Sequence, residues 1–102
     1  RVKNLREIGV KELHMVISCP PTLFPCPYGI DFSSKGELIA AKKETEQAIA
    51  EFIGLDSLHY LTVDGMVRAT GLSKDCFCLA CYTGDYPIAP PVKIDKYCME
   101  LK

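Results

Sequence analysis

The chain has 102 residues, 48% of them apolar and 25% charged, with a formal net charge of -1. That is the size and make-up of one small globular domain, and it lacks the basic excess by which a domain grips nucleic acid. No apolar run reaches the roughly 18 residues that a membrane-spanning helix needs, and Arg1-Val2-Lys3-Asn4-Leu5-Arg6 contains no apolar core of a secretory signal.

The chain opens on Arg1 rather than Met. Leu5 and Ile8 share one face of a helix, and Gly9 suits the position just past a helix end, where a left-handed backbone is needed. Residues 1–8 therefore read as the last two turns of a longer helix. Glu12 to Ser18 is a short, mostly apolar run between Gly9 and Pro20-Pro21, which predicts a buried parallel strand. Pro20, Pro21, Pro25 and Pro27 then fix backbone angles and remove N–H donors, so the next segment is a shaped loop. Ser34-Lys35-Gly36-Glu37 has the spacing of a capping box, with Ser34 as N-cap and Glu37 at N3. It opens a short helix through Leu38, Ile39 and Ala41.

A second helix from Glu44 to Ile53 carries Ala48, Ile49, Phe52 and Ile53 on one face and stops at Gly54. Ser57 to Val63 is a second strand, and Asp64 is placed to cap a last short helix through Ala69 that ends at Gly71. Helix–strand alternation of this kind predicts an α/β fold. The expected division is an α/β portion over 1–73, a cysteine loop over 74–88 and a tail with little structure of its own over 89–102. Ligands in open α/β sheets sit at the C-terminal ends of the strands. The first strand delivers Ser18-Cys19-Pro20-Pro21 there, a segment that reads equally as pocket lining or as a rigid connector.

Six cysteines stand at 19, 26, 76, 78, 81 and 98. Without a secretory signal, metal binding or ordinary buried thiols are better readings than a disulfide framework. Cys26 lies within Phe24-Pro25-Cys26-Pro27-Tyr28-Gly29-Ile30-Asp31, and Cys78 and Cys81 form a Cys-x-x-Cys loop. Thiolates are soft, anionic ligands suited to zinc or iron–sulfur groups. A Cys-x-x-Cys loop with a distant cysteine supplies three of the usual four ligands, and no fourth is obvious. Zinc held by these three plus Cys76 or Cys19 is one option, although Cys76 and Cys78 are poorly spaced to share one ion. A redox dithiol is disfavoured, because that motif sits at a helix N-terminus after a strand.

His14 and His59 alternate with apolar strand residues and read as satisfied strand histidines rather than ligands. Glu44, Glu46 and Glu51 read as a solvated helix face, and Lys42-Lys43 as a surface pair. There is no catalytic triad signature.

Read together, several segments resemble the C-terminal part of the glutamine phosphoribosylpyrophosphate amidotransferase (amidophosphoribosyltransferase) family. They are Leu5 to His14, Ser18-Cys19-Pro20-Pro21-Thr22, Phe24 to Asp31, Glu37-Leu38-Ile39-Ala40, Phe52 to Leu58, Val63-Asp64-Gly65-Met66, and Cys78-Leu79-Ala80-Cys81-Tyr82-Thr83-Gly84-Asp85-Tyr86-Pro87. The matches run in the family's order across roughly residues 5–88.

The resemblance implies the C-terminal portion of a type I phosphoribosyltransferase domain, a parallel sheet with flanking helices. It implies membership of a cytoplasmic, homo-oligomeric enzyme that takes ammonia from glutamine in an N-terminal glutaminase domain. That enzyme uses Mg2+ to transfer the ammonia to phosphoribosyl pyrophosphate, giving 5-phosphoribosylamine. This is the committed step of purine biosynthesis, inhibited by purine nucleotides. It also implies a structural 4Fe-4S cluster, with Cys26, Cys78 and Cys81 as three of its ligands and the fourth upstream of Arg1. Cys19 stands where the family often has serine. Ser18 and Tyr28 are candidates for a substrate or nucleotide pocket, or for a structural role at the strand edge. The glutaminase nucleophile and the acidic Val-Asp-Asp-type motif that grips the ribose and phosphate are not in this sequence, and neither are Mg2+ ligands. The expectation is a fragment inactive by itself, whose partner is the rest of its own polypeptide. A stand-alone zinc or iron–sulfur module is the alternative, and a homologue without a cluster, whose cysteines merely pack, is a third reading.

Overall fold

A computed structural model of the chain describes residues 1–30 and 34–90. The part of the expected tail from 91 onward, with Cys98, lies outside the described residues, as does Asp31. The elements in chain order are α1 (Val2–Glu7), β1 (His14–Ile17), a 3-10 turn (Lys35–Glu37), α2 (Ile39–Lys42), α3 (Glu46–Ile53), β2 (Ser57–Tyr60), α4 (Val63–Thr70), a second 3-10 turn (Lys74–Cys76) and α5 (Ala80–Thr83). The strands β1 and β2 pair in parallel, His14 opposite Ser57 and Ile17 opposite Tyr60. This is the expected α/β class, a parallel sheet with flanking helices.

The core forms where α3 meets the sheet. Ile49 and Ala50 of α3 pack with Leu55, Leu58 of β2 and Ala40 of α2, and Met15 and Ile17 of β1 close the layer. Thr45 starts α3 by accepting the Ala48 N–H at 3.1 Å, a cap that stabilises a helix by about 1 kcal/mol. Gly54 ends it in the left-handed region at φ +92°, where any other residue would be strained.

A second structural knot ties α1 to the sheet. The Arg6 guanidinium donates to the Gly54 carbonyl at 3.0 Å and to the Asp56 carboxylate at 2.7 Å, and the same carboxylate accepts the Leu13 N–H at 2.6 Å. The Leu13 hydrogen bond, then that of Arg6, holds the Asp56 carboxyl below its ordinary pKa.

Several expectations are corrected. β1 is not buried on both faces: His14 and Val16 are exposed while Met15 and Ile17 point inward. Parallel strands are normally covered on both sides, and among the described residues nothing covers Val16 on the outer face of β1. Both strands are shorter than expected, because β2 gives way after Tyr60 to the cap of α4. Thr62, not Asp64, caps α4, its hydroxyl accepting the Gly65 N–H at 3.0 Å. Ser34 precedes a 3-10 turn with no side-chain cap hydrogen bond, so the capping box is not formed. Phe52 is 69% exposed, because the buried stripe of α3 runs through Ile49 and Ala50. Glu46 is no idle surface carboxylate: it accepts the Tyr60 N–H at 2.8 Å and lies 3.3 Å from His59 Nδ1. His14 is satisfied as expected, its ring nitrogens 2.7 Å from the Ser57 hydroxyl and 3.1 Å from the Glu12 carboxylate. Among the described residues no helix is long and apolar enough to cross a membrane.

Candidate cysteine centre

The proline-rich loop after β1 and the cysteine loop after α4 are far apart in sequence and close in space. Pro20 is fully buried and turns the chain away from the sheet. The next residues run against α5, where the Leu23 and Phe24 N–H groups both donate to the Cys81 carbonyl, at 2.9 and 3.0 Å. Two backbone donors on one carbonyl fix the height of α5 over the loop. Leu79 and Ala80 are buried beneath it, and the Thr83 hydroxyl donates to the Leu79 carbonyl at 3.0 Å.

Gly84 ends α5 at φ +82°, and a Cβ there would stand 3.1 Å from the Phe24 ring. Both the backbone angle and the close approach require glycine. The Lys35 ammonium covers the Phe24 ring at 4.7 Å from its centroid.

Beyond Gly84 two tyrosines lock the loops. The Tyr86 hydroxyl donates to the Pro25 carbonyl at 2.6 Å. The Tyr28 hydroxyl donates to the Ile88 carbonyl at 2.5 Å and accepts the Ile88 N–H at 3.2 Å. The two rings meet edge to face, with centroids 6.2 Å apart, a favoured arrangement.

These contacts tie the two cysteine-bearing loops together. Cys19, Cys26, Cys76, Cys78 and Cys81 are all unpaired. Burial pushes the Cys81 thiol up in pKa, and the neighbouring Cys26, Cys78 and Cys19 push it the same way. Burial likewise raises the Tyr82 hydroxyl in pKa, and the neighbouring Cys19 and Cys81 push it the same way. Cys78 and Cys76 are exposed and border an open cavity of about 570 Å3 that also touches Lys74, Asp85 and Tyr86. Cys78 faces a smaller cavity of about 270 Å3 on its other side, against Met66 and Val67 of α4. Among the described residues no three Cys, His, Asp or Glu side chains are placed to hold one metal ion. The thiols stand on two separate loops tied together through the Cys81 carbonyl, and thiolates are the soft donors that zinc and iron–sulfur groups take.

Ser18 and Tyr28 are not brought together with each other. Ser18 is exposed at the end of β1, and its neighbour Cys19 lines a cavity of about 340 Å3 with Thr22 and Tyr60 at the C-terminal ends of the two strands. The Tyr28 hydroxyl is occupied by Ile88. Sequence reasoning passed over Tyr86, whose hydrogen bond to the Pro25 carbonyl spans 61 positions and leaves no local pattern.

No protein-family model matches the chain. Proteins named amidophosphoribosyltransferase are similar to it: one from Synechococcus elongatus is 50% identical over 95 residues, which is 93% of this chain and 19% of that protein. One from Methanocaldococcus jannaschii is 51% identical over 86 residues, 84% of this chain and 18% of that protein. A solved structure described as glutamine phosphoribosylpyrophosphate amidotransferase from B. subtilis complexed with ADP and GMP is 41% identical, with a TM-score of 0.77 over 92% of this chain and 21% of that one. Another, described as the allosteric regulatory enzyme of purine biosynthesis, is 40% identical with a TM-score of 0.78. The chain thus spans about a fifth of the length of these relatives, in their C-terminal part.

Proposed function

The chain belongs to the amidophosphoribosyltransferase family, and from that premise we propose that it serves as the C-terminal part of such an enzyme, completing a phosphoribosyltransferase domain whose remainder lies in the same polypeptide. The whole enzyme transfers glutamine-derived ammonia to phosphoribosyl pyrophosphate, giving 5-phosphoribosylamine in purine biosynthesis. The observation that carries this reading is coverage: the chain is 50% identical to an amidophosphoribosyltransferase over 93% of its own length but spans only 19% of that protein, and β1 exposes Val16 on a sheet face that a complete parallel sheet covers.

The work of these residues is positioning. The buried seam of α3 and the Arg6–Asp56 knot hold β1 and β2 in register. The strand ends then present Ser18 and the cavity beside Cys19, where a doubly wound sheet takes its ligands. Mg2+ would be held elsewhere in the enzyme, by residues outside this chain.

Cys26, Cys78 and Cys81 would hold a 4Fe-4S cluster together with a thiolate from the preceding part of the polypeptide. When bound, that cluster supplies a rigid crosslink between the two loops, closing a long stretch of chain. A cytoplasmic setting, where thiols stay reduced, suits the five unpaired cysteines. Purine nucleotides as regulatory ligands, and assembly into a homo-oligomer, belong to the same reading. The test is complementation: the enzyme carrying this segment restores purine-independent growth to a strain lacking the activity, and the segment alone does not. Growth restored by the segment alone would overturn the reading.

A further inference from the structure

We propose that Tyr86 is the positioning residue of the cysteine centre: by holding the Pro25 carbonyl, it fixes the Cys26 loop against the loop of Cys78 and Cys81 before any metal group arrives. The proposal rests on the reading of these thiols as a metal–sulfur site.

Cys26 sits in a loop whose prolines remove N–H donors on both sides of it, at Pro25 and Pro27. The carbonyl of Pro25, one residue from the thiol, is therefore a natural handle. Tyr86 takes that handle at 2.6 Å, across 61 positions of sequence, from a partly buried site. The same side chain borders the cavity that Cys76 and Cys78 line, so one residue touches both halves of the centre.

The Tyr86 ring is in turn held edge-on by Tyr28, and α5 is fixed from the other side by the Leu23 and Phe24 N–H groups. None of these contacts needs a metal. Partners that orient a ligand from behind commonly govern how firmly a metal is held. Loops locked together in advance also avoid the cost of ordering them at the moment of binding.

The experiment uses the full enzyme carrying this segment, as wild type, Tyr86→Phe and Tyr28→Phe, all purified without air. Tyr86→Phe keeps the ring and loses only the hydroxyl. Tyr28→Phe frees Ile88 but leaves the Pro25 anchor in place. Two quantities are measured: the rate of iron loss to an iron(II) chelator, and the alkylation rate of Cys26 by iodoacetamide in the metal-free protein, read by peptide mass spectrometry.

The expected result is that Tyr86→Phe speeds both several-fold and shifts the melting temperature of the metal-free protein by no more than Tyr28→Phe does. Tyr28→Phe should leave Cys26 alkylation near the wild-type rate. Wild-type values for Tyr86→Phe in both measurements, or equal acceleration of Cys26 alkylation in both variants, would overturn the assignment. If the wild type holds no iron, the metal–sulfur reading falls, and the alkylation rates still decide whether Tyr86 positions Cys26.

Discussion

Asp56 shows how a surface carboxylate becomes a structural joint. It accepts the Leu13 N–H and the Arg6 guanidinium, and its folded pKa lies below the ordinary value. A depressed carboxyl pKa adds stability above the unfolded value, about 3.9 for Asp, and that stability is lost as pH falls through the folded value. Urea melts between pH 7 and pH 2 should therefore show wild type losing stability at the acid end more steeply than Asp56→Asn. Equal slopes would show that the pairing does not persist in solution. Gly84 carries a different constraint. Alanine there must take a left-handed backbone and press its Cβ onto the Phe24 ring, so Gly84→Ala should lower stability by roughly 1–3 kcal/mol. A denaturation midpoint unchanged from wild type would contradict that.

At the scale of elements, α3 is the organiser. Its N-cap hydroxyl, buried Ile49 and Ala50, and left-handed Gly54 all act within one short stretch. Ile49→Ala should cost about 2–5 kcal/mol by leaving a cavity in a small core, whereas Phe52→Ala, at a 69% exposed position, should cost far less. Near-equal losses would mean that the core is drawn in the wrong place.

α1, α3 and α4 and their glycine ends were legible in the sequence, because Gly9, Gly54 and Gly71 mark them through backbone geometry, whereas α5 with its Gly84 end lay hidden in the expected cysteine loop. The parallel pairing followed from helix–strand alternation. What misled was local chemistry with several solutions: Asp64 and Thr62 are both capping residue types and it is Thr62 that caps α4, while Ser34 makes no cap hydrogen bond. Apolar periodicity also placed Phe52 inside, and only the third dimension tells which side of α3 the sheet occupies. The two cysteine loops were legible as motifs. Their mutual lock through Tyr28 and Tyr86 was not, since no local pattern encodes a hydrogen bond across 61 residues.

The whole molecule is an α/β half with an uncovered side. Val16 is 78% exposed on β1, and Ile8 and Ile88 are comparably bare. A two-stranded sheet is weak by itself, and unpaired strand edges invite association. Sedimentation of the isolated 102-residue chain should accordingly show concentration-dependent self-association, and a monomer that melts cooperatively at every concentration would contradict this.

The central claim is that two distant loops form one metal–sulfur centre, and iron and acid-labile sulfide content tests it most directly. The enzyme carrying this segment, purified anaerobically, should contain about four of each per chain and lose both in Cys78→Ser and Cys81→Ser. Zinc without sulfide, or iron content and stability unchanged in both variants, would contradict the account.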